Sequence, residues 1–138
     1  MTKLPRLGDE PLRVLVCGSR NWGDLAEIKS LLFPLFGRED VLIIHGGAWG
    51  ADKCAGTAAQ HLGLEVKVYE ADWDRHGRSA GPLRNSQMLE EGKPHVVLAF
   101  TEDIDASRGT ADTVRKANKK GIPTFVYPDI PDDWSVGR

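Results

Sequence analysis

Five short apolar, β-branched runs separated by helical patterns predict an α/β fold, an open parallel sheet of about five strands with helices on both faces in one domain. Three observations carry this. Strand-like and helix-like segments alternate along the chain, and most of the strand-like runs are apolar on both faces, as strands covered from each side must be. The length of 138 residues fits one core, because a chain of this size buries about two thirds of the surface its unfolded form exposes.

The elements follow in order. "RVLVC" from Arg13 reads as the first strand. Asp24 with Glu27 three residues on forms a capping-box pattern, and Leu25, Ile28, Leu31, Leu32 and Leu35 then share one helical face. "VLII" from Val41 is the second strand. The helix after it is expected from about Gly50 to Leu62, with Ala51, Cys54, Ala55, Ala58 and Leu62 inward, small enough to let the helix approach the sheet closely. "EVKVY" from Glu65 is the third strand. Pro82 suits the first turn of the next helix and Gly92 its end. "HVVLAF" from His95 is the fourth strand. The last helix is expected from about Thr110 to Lys119 and Lys120, whose charges favour a helix carboxyl end, with Gly121 as the stop. "PTFVY" from Pro123 closes the set. Residues 13–127 therefore form the domain, and the proline-punctuated, aperiodic segments 1–12 and 128–138 read as loose tails.

Composition excludes several functions. The formal net charge is −2, so no global positive field recruits nucleic acid, and any anion site must come from local placement of Arg and backbone N–H groups. The start, "MTKLPRLGDEPL", lacks the apolar core of a signal peptide, and nothing approaches the roughly 20 apolar residues of a membrane span, so a cytosolic location is expected. Cys17 and Cys54 sit in apolar or small-residue runs and read as free thiols rather than a disulfide. His45, His61, His76 and His95 are scattered, so no metal site is expected.

Ligands of open parallel sheets bind outside the carboxyl ends of the strands. The loops leaving those ends are "GSRNWGD", "GGAWGAD", "EADWDRHGRSAGPLRN" and "TEDIDASRGTAD". They hold Arg20, Arg75, Arg78, Arg84 and Arg108, five of the ten arginines, against Lys53 alone at their margin. Arg presents a rigid fork to phosphate oxygens where Lys presents a point charge, so the skew favours an oriented anion. Trp22, Trp49 and Trp73 stand in the same loops and could stack a base or close the core. Glycine leads precede two helix N-termini, at Gly46 to Gly50 and at Gly109 to Thr110, each a ready anion site. "GSRNWGDL" has the GxxxxG spacing of a P-loop, but Asp24 and Leu25 stand where Lys and Ser or Thr are needed. "GGAWGA" is not GxGxxG and follows the second strand rather than the first, so dinucleotide oxidoreductase chemistry is weakly supported.

Together "VCGSRNWGD", "IIHGGAWGADKCAGTAA", "WDRHGRSAGPLRNSQML" and "SRGTADTVRKA" resemble the YspA/YpsA-related branch of the SLOG superfamily, Rossmann-like domains related to the LOG phosphoribohydrolases and to DprA. The resemblance covers Arg13 to Tyr127. It implies a nucleotide pocket with Gly18, Ser19 and Arg20 from the first strand and Gly46, Gly47, Gly50 and Asp52 from the second. Arg84 and Asn85 would join from "AGPLRN", and Gly109 and Thr110, with Arg108 beside them, would cradle a phosphate. A homo-oligomer formed through helices beside the pocket is implied in the same way.

One departure matters. LOG enzymes carry GGxGTxxE, whose Glu acts in glycosidic cleavage, and here Thr113 occupies the Glu position. Asp112 is adjacent but turned by about 100° on a helix, and Asp52, just past the second-strand glycines, is the other candidate carboxylate. The leading expectation is therefore binding of a nucleotide or nucleotide-derived signal, sensed or sequestered, with no cofactor. The alternative is a phosphoribohydrolase-like N-glycosidase using Asp52 or Asp112. Single-stranded nucleic-acid binding of DprA type comes third, because Glu70, Asp72, Asp74, Glu102, Asp103 and Asp105 interrupt any phosphate track at the same rim.

Overall fold

The computed structural model describes residues 10–136. Of the expected N-terminal tail, residues 1–9 lie outside them, and Leu12 already opens the first strand. The strands are β1 (Leu12–Gly18), β2 (Val41–His45), β3 (Glu65–Val68), β4 (Val96–Phe100) and β5 (Thr124–Val126). They form one parallel sheet in the order β3-β2-β1-β4-β5. The helices are α1 (Leu25–Leu32), α2 (Ala51–His61), α3 (Trp73–His76), α4 (Ala80–Gly92) and α5 (Arg108–Lys119). This is the expected Rossmann-like architecture.

Side-chain alternation along the strands divides the core into two layers. Val14 and Val16 of β1 face the layer that holds Ile28, Leu32, Ala55 and Ala58, whereas Leu15 and Cys17 face the layer with Met88, Leu89 and Ala117. The α1 cap forms as its sequence predicts, the Asp24 carboxylate accepting from the Glu27 amide at 3.0 Å. The alanine face of α2 is buried as expected, with Cys54 half-buried beside it.

Three expectations are corrected. β3 is an edge strand, and all four of its residues are exposed, so it lacks the double cover its apolar residues imply. Gly92 does not stop α4. It is the last helical residue, where a Cβ would meet Ile44 Cδ1 at 3.2 Å, and Lys93 takes the left-handed cap at φ 46°. The third correction concerns the segment after Tyr127. Ile130 and Trp134 are buried in the layer around α1, and Trp134 Nε1 donates to the Leu31 carbonyl at 2.8 Å. Two apolar residues on an irregular segment leave no periodic trace, which is why the sequence reads as a tail. No helix among the described residues is long and apolar enough to cross a membrane.

Candidate functional site

The chain steps from β1 outward to β2 and β3, then crosses back to place β4 on the other flank of β1. The reversal of strand order therefore lies between β1 and β4, where the loops leaving their carboxyl ends part and leave a crevice. A cavity of about 380 Å³ opens there. Its walls are the Gly18–Asn21 turn, Arg84, Asn85 and Met88 of α4, and Ser107–Thr110 at the start of α5, with Cys17, Ala48 and Asp52 completing the lining. Gly18 is needed for close approach, since a Cβ there would lie 2.6 Å from Ala51 Cβ and collide with the Phe100 carbonyl of β4.

The glycine loop after β2 has a different role from the one its sequence implies. The amides of Gly46, Gly47 and Ala48 are already bonded within the protein. Asp52 Oδ2 accepts from the Gly46 amide at 3.0 Å and the Ala48 amide at 3.2 Å, and the Ala51 amide donates to the Ser19 carbonyl at 3.0 Å. Asp52 is thus a clamp that folds the loop back on the first turn of α2, and its carboxylate complements that helix N-terminus. Burial pushes the Asp52 carboxyl above its usual range, opposed by the Ala48 hydrogen bond and the Arg84 charge.

His45 anchors the same loop. Its Nδ1 accepts from the Gly47 amide at 3.0 Å, so the neutral ring carries its proton on Nε2. Burial, with Lys53 and Arg84 nearby, lowers its pKa from 6.5 to about 4. Protonating Nδ1 breaks the bond to Gly47. Because the folded-state pKa is depressed, this stabilisation is fully present above the unfolded value and is lost as pH falls from 6.5 toward 4. The carboxylates titrate in part of that window, so the difference between the native protein and His45→Gln isolates the histidine. Urea denaturation series should show stability falling more steeply with acidification in the native protein than in the variant.

Three arginines dominate the charge of the central cavity. Arg84 Nε donates to Asn85 Oδ1 at 2.9 Å and its Nη1 donates to the Gly46 carbonyl, so α4 is tied to the glycine loop. Its pKa is lowered by burial and by the charge of Arg20, with Asp52 opposing. Arg20 and Arg108 line the cavity and make no ion pair among the described residues. Such a wall favours anions.

The α5 end is built from hydroxyl and amide contacts. Thr101 and Ser107 share a hydroxyl hydrogen bond of 2.8 Å, and Asn85 Nδ2 donates to the Gly109 carbonyl at 3.2 Å. Thr110 is 4% exposed, yet its hydroxyl has no protein partner among the described residues. Since no interior side-chain oxygen among the described residues is left without one, that hydroxyl opens on the cavity the residue lines. The amides of Arg108, Gly109 and Thr110, in the first turn of α5, have no intrahelical partner, and these residues line the same cavity.

The tryptophans separate. Trp22 is 8% exposed, donates from Nε1 to the Asp24 carbonyl at 2.9 Å, and packs edge-on against Phe100 and Tyr127, so it closes the core. One edge of it reaches a flanking cavity of about 320 Å³. Trp49 and Trp73, 76% and 51% exposed, face a second flanking cavity of about 350 Å³ that shares Arg20, Ala48 and Arg84 with the central one. Gly46 and Gly47 line this second flank. Gly50 lines none of the three cavities and serves the turn itself.

A family model for the YspA, cpYpsA-related SLOG family matches residues 12–76. The Gene 61 protein of Mycobacterium phage D29 is 36% identical over 126 residues, covering 86% of this chain and 98% of the phage protein. The chain belongs to the YspA, cpYpsA-related SLOG family. Among solved structures, this SLOG domain is similar to DNA processing protein A (DprA) from Streptococcus pneumoniae, with a TM-score of 0.70 and 20% identity over 91% of this chain and 53% of that one. It is also similar to UDP-GlcNAc 2-epimerase from Neisseria meningitidis, with a TM-score of 0.51 and 11% identity over 83% of this chain. The SLOG domain spans about half of DprA and 31% of the epimerase, and at these identities both likenesses concern the fold.

Of the residues the sequence singles out, Gly18, Ser19, Arg20, Asp52, Arg84, Asn85, Arg108, Gly109 and Thr110 converge on the central cavity of this SLOG domain. Asp112 does not line it. Its carboxylate accepts from Asn85 Nδ2 at 3.1 Å and pairs with Arg115 and Lys116, and although burial opposes this, the hydrogen bonds hold its pKa below the usual range. Thr113 lines the cavity and donates its hydroxyl to the Gly109 carbonyl at 3.2 Å. Arg75 and Arg78 line none of the three cavities. Met88 and Asn21 are lining residues that sequence reasoning missed. Met88 was within reach, three and four residues beyond Asn85 and Arg84 on the same helical face.

Proposed function

We propose that the domain binds a nucleotide or nucleotide-derived ligand at the carboxyl edge of its sheet. The phosphate lies in the central cavity against Arg20, Arg108, the Thr110 hydroxyl and the first-turn amides of α5. Arg84 adds charge while staying bonded to the glycine loop. The base extends into the adjoining cavity beside Trp49 and Trp73, whose exposed indoles offer stacking faces. The observation that carries this reading is the combination of two arginines without ion-pair partners and an open, buried-residue hydroxyl at a helix N-terminus. Each element suits a phosphate oxygen, and they share one cavity at the reversal of strand order.

Cleavage of the glycosidic bond is less well supported. Thr113 replaces the acid, Asp112 is held by three partners, and Asp52 is engaged by two backbone amides. A long nucleic-acid track is less well supported again, because Glu102 and Asp103 line the flanking cavity beside Trp22 and the likeness to DprA is one of fold.

A thermal-shift series with mononucleotides, dinucleotides and ADP-ribose-derived compounds tests the reading. A ligand that binds the native state at 100 times its dissociation constant adds about 2.7 kcal/mol. At least one compound should raise Tm by several degrees in a domain of this size. A flat response across the series contradicts ligand binding of this class.

A further inference from the structure

The two edges of the sheet are treated differently. β5 is three residues long, with Pro123 immediately before it and Pro128 shortly after, and proline both lacks a donor and blocks pairing, a usual protection of an edge. β3 has no proline near it. Its sequence Glu65-Val66-Lys67-Val68 leaves Val66 and Val68 37% and 40% exposed on the face that continues from buried Leu64.

An outside strand pairing here must satisfy the charges of Glu65 and Lys67. A second copy can do so in one way. Two identical strands related by a two-fold axis pair antiparallel, and the axis must pass through a residue, because directly opposed side chains share a face of the sheet. Centring on Glu65 sets glutamate against glutamate, and centring on Lys67 sets lysine against lysine. Centring on Val66 opposes Glu65 to Lys67 of the second copy twice, and on the other face aligns Leu64, Val66 and Val68 with their counterparts. Opposite charges directly across a strand pair stabilise it and like charges destabilise it.

We propose that the chain forms a symmetric dimer through antiparallel β3–β3 pairing centred on Val66, joining the two sheets into one of ten strands. The charges of this edge are thereby matched in one register only, and the exposed valines are covered. The expectation from family resemblance was association through helices beside the pocket, and the edge strand is a different surface.

Sedimentation equilibrium on the full chain, native and with Lys67→Glu, Glu65→Lys and both together, tests this. The native chain should be dimeric, each single reversal should weaken association by at least about tenfold, and the double reversal should restore most of it. Both positions are exposed, and circular dichroism melts confirm that each variant folds. A native chain that is monomeric from micromolar to submillimolar concentration overturns the proposal. A dimer indifferent to the single reversals, or a double reversal that stays dissociated, overturns it equally.

Discussion

Asp52→Ala is expected to lower the stability of the fold by about 3–5 kcal/mol, the range for removing one partner of a buried charged network. Asp52 Oδ2 holds the amides of Gly46 and Ala48, both in a loop with no other acceptor for them among the described residues. Its loss leaves two amides unpaired and removes the carboxylate that faces the Arg84 charge. Asp52→Asn keeps an oxygen for the amides and should lose less, about 1–2 kcal/mol. Urea denaturation of the three proteins gives the numbers. If Asp52 served chemistry alone, both substitutions would leave the midpoint near that of the native protein.

Gly50→Ala should be comparably damaging, by about 2–4 kcal/mol. Gly50 adopts φ 78° and ψ −123°, a conformation that side-chain-bearing residues rarely enter, and its Cβ would lie 2.5 Å from the Arg20 carbonyl carbon. Neither partner can move, because the Ser19–Arg20 backbone is held by the Ala51 amide and by the Phe100 carbonyl of β4. Gly109→Ala provides the contrast. Nothing lies within 4 Å of a Cβ there, and the residue is already helical, so alanine should stabilise α5 by up to about 1 kcal/mol. Two glycines that look alike in sequence thus differ: Gly50 is required by the backbone turn, whereas the fold places no such demand on Gly109.

That contrast also marks how far the sequence could be read. Alternating strand and helix patterns, the Asp24 cap and the alanine face of α2 gave the architecture, because each is a local signal repeated at a fixed spacing. The convergence of Arg20, Arg84 and Thr110 followed from the rule that ligands gather at strand carboxyl ends. What was not legible depends on partners distant in the chain. "HGGAWGAD" carries three glycines and an exposed tryptophan, the usual marks of a ligand loop, yet the amides of Gly46, Gly47, Ala48 and Ala51 go to Asp52, His45 and Ser19. Only the folded positions of those acceptors distinguish a loop that offers its amides from one that has used them. Trp22 and Trp49 likewise stand in similar glycine-flanked contexts, and one closes the core while the other faces solvent. The exposure of β3 and the burial of Trp134 depend on sheet order and on the path of an irregular segment, neither of which leaves a periodic pattern.

The proposed phosphate site rests on Arg20, Arg108 and the α5 terminus. Isothermal titration of the nucleotide that gives the largest thermal shift, into the native protein and Arg108→Ala, tests it most directly. Arg108 is exposed and its side chain makes no ion pair among the described residues, so the substitution should leave the fold intact. Loss of one charge-assisted contact should weaken binding by about 1.5–3 kcal/mol, roughly ten- to a hundredfold, and raising the salt concentration should narrow the difference. An affinity unchanged in Arg108→Ala at low salt would contradict the assignment.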